Sequence, residues 1–185
     1  FSSIDQHGRY RYSQQPAIGG WNLTRLAETF IPLVDDDEEV ATALLEEVLM
    51  DYNNAFQTAW LNQMRAKIGL KTATEQDRTL IVQLLQTMHE QQLDFTSTFR
   101  ALSEGNIPTV LAAWYEQWQQ RVVAEAETVE AAQRRMLAVN PAIIARNYYV
   151  EAAIQDAEVG DFTAVKTLVE ALQQPFDVQL EHELY

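Results

Sequence analysis

Asp5, His7, Arg9 and Arg11 stand close together near the start of the chain. A carboxylate, an imidazole and two guanidiniums at that spacing can bind a phosphate or exchange protons with a substrate. No nucleophile and no glycine-rich phosphate cradle lies beside them, so a solvated or structural loop is the favoured reading. The run Asp35, Asp36, Asp37, Glu38 and Glu39 offers oxygen ligands to a hard cation, but it lacks the alternating spacing and central glycine of a calcium loop. A solvated acidic helix start, favoured by the helix dipole, fits it better. His89 beside Glu90, and His182 between Glu181 and Glu183, do not form the two-histidine helical signature of a zinc site. Arg100, Arg146 and Asn147 sit among strongly apolar neighbours in FRAL and IIARNYYV. A charged head near a core is costly unless paired, so these three are candidate structural clamps between helices.

Those residues need elements to hold them, and the sequence offers helices. The 185 residues, 47% hydrophobic, are enough for one domain spanning 1–185 with a substantial core. No run reaches the roughly 18 to 20 apolar residues of a membrane helix, so no membrane partner is expected. Thirteen basic against 27 acidic side chains give a net charge of −14, which repels phosphate backbones and argues against nucleic acid as a partner. Cysteine is absent, which removes disulfides, thiolate nucleophiles and cysteine-based metal sites from these residues.

Apolar spacing predicts the elements in turn. After a polar opening loop, Trp21, Leu26, Phe30 and Leu33 predict a short, mainly buried helix with Gly19-Gly20 awkwardly placed near its start. From Val40 to Ile68 apolar residues repeat every four positions, a long amphipathic helix closed by Arg65, Lys67 and Gly69. Thr74 and Asp77 resemble a capping box before the next helix, and Asp94 or Thr96 caps a short one ended by Gly105. Beyond Thr109 comes one long helix or two abutting ones, carrying Trp114 and Trp118 in core positions. Asn140-Pro141 reads as a further helix start, and Asp161 as the cap of a last helix ended by Pro175. No strand alternation and no repeat period is sustained. The expected fold class is all-α, an irregular helical bundle.

The stretch DQHGRYRYSQQPAIGGWNLTRLAETFIPL is similar to the GRY, QP and WNL-LA pattern of the SelO family. MRAKIGL, LDFTSTFRAL, WYEQWQQR, NPAIIARNYYVEAAIQDAEVGDF and PFD continue the resemblance in order, from Asp5 to Asp177. It implies that these helices resemble the C-terminal part of a protein-kinase-like C-lobe. The implied activity is AMP transfer from ATP, with magnesium, onto Ser, Thr or Tyr hydroxyls of protein substrates. In that family the phosphate loop, the nucleotide-binding lysine and arginines and the metal-binding Asp and Asn precede the GRY segment, so no catalytic, cofactor or metal residue is expected in this chain. Asp5 and Arg9 become candidate groove or scaffold residues nearest the active cleft.

The partners so implied are the protein substrates of the parent enzyme and the preceding part of the same protein, with self-association through exposed apolar surface as a further expectation. The bacterial cytoplasm is the expected location, with an N-terminal targeting signal left open. The alternative, from another class, is a free-standing acidic helical module that docks a basic partner.

Overall fold

The computed structural model describes Asp5 and residues 7–177; the Glu181, His182 and Glu183 group weighed above lies outside the described residues. Among the described residues there are eight α-helices and no strand, so the all-α class is the one observed. The helices are α1 (Gln15–Val34), α2 (Glu38–Lys67), α3 (Asp77–Glu90), α4 (Phe95–Glu104), α5 (Ala112–Val123), α6 (Val129–Leu137), α7 (Asn147–Glu158) and α8 (Thr163–Leu172). They gather into two compact units, Phe1–Leu61 and Asn62–Tyr185, with the boundary inside α2.

In the first unit, α1 corrects the expectation of a short buried helix. It runs for 20 residues, through Pro32, and none of them is buried. Trp21, Leu26, Phe30 and Leu33 do share helical spacing, but each stays between 44% and 78% exposed because no other helix of the unit covers that face. The glycine pair has a packing reason. A Cβ on Gly19 would stand 2.6 Å from Tyr52 Oη, and one on Gly20 would stand 3.3 Å from the same ring. Tyr52 in turn donates from Oη to the Pro16 carbonyl at 2.9 Å. Two glycines in a helix sacrifice propensity, and the close seating of a tyrosine on the helix backbone is what they permit.

The acidic run begins α2 as the dipole argument requires. Asp37 Oδ1 accepts from the backbone N–H of Glu39 at 2.9 Å and of Val40 at 3.4 Å, supplying partners to otherwise orphaned donors. Along the helix the apolar stripe changes character: Val40, Leu44 and Val48 are exposed, whereas Met64 and Ile68 are buried.

The second unit holds the main core, in which Ile68, Ile81, Leu84, Phe99, Leu102, Leu111, Trp118, Val122 and Met136 are almost fully buried. Within it α3 packs on α5, α4 on α6 and α7 on α8. Trp114 and Trp118 belong to this core, their indole N–H groups donating to the Leu80 and Ile68 carbonyls, each at 2.8 Å. The stretch beyond Thr109 resolves into two helices rather than one. Residues 124–128 break it, with Ala126 in the left-handed region at φ 57° and Thr128 accepting from Ala131 N–H at 3.2 Å to start α6. Asp94 is the cap of α4, accepting from Ser97 N–H at 2.8 Å.

Asn140 corrects a second expectation: it starts no helix, and α7 begins only at Asn147. Its side chain is spent elsewhere, and the chain after it is held in a non-helical path by Ala142 and Ile143, which both donate to the Pro175 carbonyl at 2.7 and 3.1 Å. Asp161 Oδ1 does accept from Thr163 N–H at 2.9 Å at the start of α8.

Candidate functional site

The opening turn is built by Asp5. Its Oδ1 accepts from Arg9 N–H at 2.8 Å and its Oδ2 from Tyr10 N–H at 2.7 Å. Both oxygens are thereby consumed by backbone, so Asp5 shapes the turn and does not pair with the Arg9 side chain. The Arg9 guanidinium lies over the Trp21 ring at 4.5 Å from its centroid and 5.6 Å from that of Tyr10. Arg25 approaches the same indole at 5.6 Å while pairing with Glu28 at 2.5 Å. Of the four polar residues read together in sequence, Asp5 and Arg9 are thus joined through the Arg9 backbone N–H, while the Arg9 side chain turns to the aromatic rings.

A denser polar centre, which the sequence reading missed, lies in the second unit. Asp77 was read only as a capping partner of Thr74, and it is that: its Oδ2 accepts from Thr74 N–H at 2.8 Å and its Oδ1 from Thr74 Oγ1 at 2.7 Å. It is also completely buried, with Arg65 Nε at 2.6 Å from Oδ2 and Arg121 Nε at 2.7 Å from Oδ1. Arg121 continues to Glu125 at 2.9 Å, and Glu125, its side chain 2% exposed, accepts from the N–H groups of Lys71 and Thr72 at 3.0 and 2.9 Å. Two guanidiniums and two carboxylates so balance their charges out of water and tie α2, α3, α5 and the 70–76 loop together. Burial alone would push the Asp77 carboxyl up, but hydrogen bonds from Arg121, Thr74 and Arg65 bring it down to about 2. Glu125 is likewise lowered, burial being outweighed by the Lys71 and Thr72 backbone donors and by Arg121.

The C-terminal end of α2 is a second convergence. Helices leave their last carbonyls without internal partners. Here the Lys67, Ile68 and Gly69 carbonyls accept respectively from Asn140 Nδ2 at 2.7 Å, from Trp118 Nε1 at 2.8 Å and from Arg135 Nε and Nη2 at 3.0 and 2.8 Å. Leu70 N–H to Arg65 and Gly69 N–H to Ala66 complete a left-handed cap with Gly69 at φ +71°. Fully buried Asn140 also donates to Ser103 Oγ at 3.0 Å and accepts from Lys67 Nζ at 3.0 Å. Burial draws the Lys67 ammonium below its ordinary range.

The three residues read as clamps differ in what they reach. Arg100 pairs with Glu104 at 2.5 Å and donates from Nη1 to the carbonyls of Asn140 at 3.3 Å and Phe176 at 2.8 Å, bridging distant segments. Arg146 holds Asp94 through two parallel bonds of 2.9 Å, joining the start of α7 to the cap of α4. That fork, with the Ser97 N–H, keeps the Asp94 carboxyl well below the usual carboxylate range. Asn147 stands exposed at the first position of α7 and makes no side-chain hydrogen bond among the described residues, so the bridging there is done by Arg146.

Open grooves exist, and in one of them the charged group is already engaged. The groove lined by Gln76, Gln83, Gln117, Gln120 and Arg121 borrows a guanidinium committed to Asp77, Glu125 and Thr72. Among the described residues no three His, Cys, Asp or Glu side chains converge where a metal ion could sit. The six glycines form no phosphate-cradling loop, since only Gly19 and Gly20 adjoin and both lie inside α1.

Comparison with known proteins gives this helical assembly a context. The family model described as protein adenylyltransferase SelO matches residues 2–173. Proteins named protein nucleotidyltransferase YdiU are similar along the chain. The one from Geobacillus kaustophilus is 42% identical over 100% of this chain and 40% of its own length. The one from Anoxybacillus flavithermus is also 42% identical, over 100% of this chain and 39% of its own. The Brevibacillus brevis protein is 43% identical over 95% of this chain and 38% of its own. The chain therefore spans about two fifths of the length of these relatives.

Proposed function

Because the chain belongs to the SelO family, we propose that it is the C-terminal helical portion of a nucleotidyltransferase that moves AMP from ATP onto Ser, Thr or Tyr hydroxyls of proteins. The observation that carries this reading is similarity along the whole chain to proteins named for nucleotidyl transfer, at 42% identity. Within it, the part played by these residues is positional. Their buried charges are spent on one another, on helix ends and on the 70–76 loop, which is the use expected of a support and not of a reacting centre.

ATP and magnesium are proposed to act elsewhere in the full-length protein. The described residues do not fit them: nucleotidyl transfer needs cations and donors fixed around the phosphates, and neither a metal-binding group of side chains nor a glycine cradle is present among them. Asp5 and Arg9 are proposed to stand at the edge of the groove where that chemistry occurs, Asp5 fixing the turn and Arg9 presenting its guanidinium on Trp21. Arg100 and Arg146 are proposed to keep α4, α7 and the segment near Phe176 in register with one another.

The experiment compares full-length protein and the 185-residue chain, each incubated with magnesium and ATP labelled at the α-phosphate. Transfer of label to protein by the first and none by the second supports the reading. Magnesium-ATP binding or self-labelling by the 185 residues alone would sink the positional part of it.

A further inference from the structure

All three basic side chains of residues 1–61, Arg9, Arg11 and Arg25, belong to the opening turn or to the α1 turn beside it, against ten acidic ones in the same stretch. Two of the three guanidiniums approach one indole, that of Trp21, at 4.5 and 5.6 Å. The carboxylates within reach are accounted for: Asp5 is consumed by backbone N–H groups and Glu28 is paired with Arg25. Arg9 makes no side-chain hydrogen bond among the described residues, so its five donors are held in place by aromatic stacking and left facing outward. Around it Tyr10 and Trp21 are 56% and 48% exposed. Arginine, tyrosine and tryptophan are the side chains that most often anchor protein interfaces, and a preformed guanidinium fork matches a carboxylate.

We propose that the Arg9, Arg25, Trp21 and Tyr10 cluster is a docking site for an acidic peptide segment of a partner protein, with Arg9 as its anchor. Charge complementarity selects the occupant. A net charge of −14 disfavours an acidic peptide over the chain as a whole, and a local cluster of guanidiniums offsets that repulsion, so the cluster both attracts and orients it. A basic peptide would instead be drawn to the acidic remainder of the chain. The inference stands apart from the transfer reading, because docking is measured without nucleotide.

The test uses full-length protein and a fluorescein-labelled peptide carrying a run of Glu and Asp, read by anisotropy at low salt. The peptide is expected to bind, and its Gln and Asn counterpart to lose binding. Arg9→Ala should weaken binding roughly tenfold and Arg25→Ala by a smaller factor, each with an unchanged melting curve. Lys166→Ala, which removes an exposed charge outside the cluster, should leave affinity within about twofold, the small change expected of a residue that shares no partner with it. Absence of binding by the unsubstituted protein, equal loss on Lys166→Ala, or equal affinity for the uncharged peptide would overturn the proposal.

Discussion

At Asp77 the physical stakes of a single side chain are largest. Its carboxyl ordinarily ionises near 3.8 and is held at about 2 in the folded chain, so its stabilising contribution is complete above pH 4 and is lost as pH falls through about 2. That shift corresponds to about 2 kcal/mol. Asp77→Asn should therefore be less stable at neutral pH by several kcal/mol, roughly 3–5 when one partner of a buried pair is removed. Its denaturation midpoint should also change less between pH 4 and 2 than that of the unsubstituted protein. Undiminished pH dependence in that window would assign the acid sensitivity to other carboxylates. The clamps are ranked by exposure: Arg100 is 12% exposed at its side chain and Arg146 37%. Arg100→Ala should cost roughly 1–3 kcal/mol in urea unfolding by stranding carbonyls, and Arg146→Ala no more than about 1. The cap role of Asp77 was legible because Thr74 is three positions away. Its burial was not, since Arg65 and Arg121 reach it from 12 and 44 residues off.

Helices were legible where apolar spacing and a terminator agreed, as at α2 and Gly69 or α4 and Gly105. They were misjudged where a local signal had a tertiary use. Asn140-Pro141 has the letters of a helix start, yet the Asn140 amide is taken by the Lys67 carbonyl and Ser103. The Gly19-Gly20 pair looked awkward because its reason, Tyr52, lies on another helix. Gly69→Ala should be the costlier of two left-handed substitutions: the new Cβ meets the Ala132 carbonyl oxygen at 2.5 Å, whereas a Cβ on Gly160 meets nothing within 4 Å. Gly160→Ala should cost roughly 1–2 kcal/mol of backbone strain alone, and Gly69→Ala distinctly more, by thermal or urea unfolding. For Gly19→Ala the obstructing atom is Tyr52 Oη, with the ring carbon behind it at 3.5 Å. The penalty should thus shrink in a Tyr52→Phe background, which a double-mutant cycle measures. Trp118→Phe tests the end of α2 separately, since it strands the buried Ile68 carbonyl at a cost of roughly 1–3 kcal/mol.

At the scale of the whole chain, apolar exposure is uneven. Leu33 on α1 and Val48 on α2 are 78% and 67% exposed in the first unit, and the α2 stripe to which Val48 belongs ends in a buried core residue, Ile68, in the second. Uncovered apolar faces favour association, and ten acidic side chains in residues 1–61 oppose it. Self-association of the 185-residue chain should consequently appear at high concentration and strengthen with added salt, which screens the repulsion. A monomer at every ionic strength in sedimentation would contradict that balance. The central claim, that these helices support nucleotidyl transfer carried out by other residues of the same protein, meets its most direct test in a labelling experiment. Full-length protein with magnesium should transfer label to protein acceptors from ATP labelled at the α-phosphate and not from ATP labelled at the γ-phosphate, while the 185 residues alone transfer neither. Transfer from the γ-phosphate, or any transfer by the isolated chain, would contradict it.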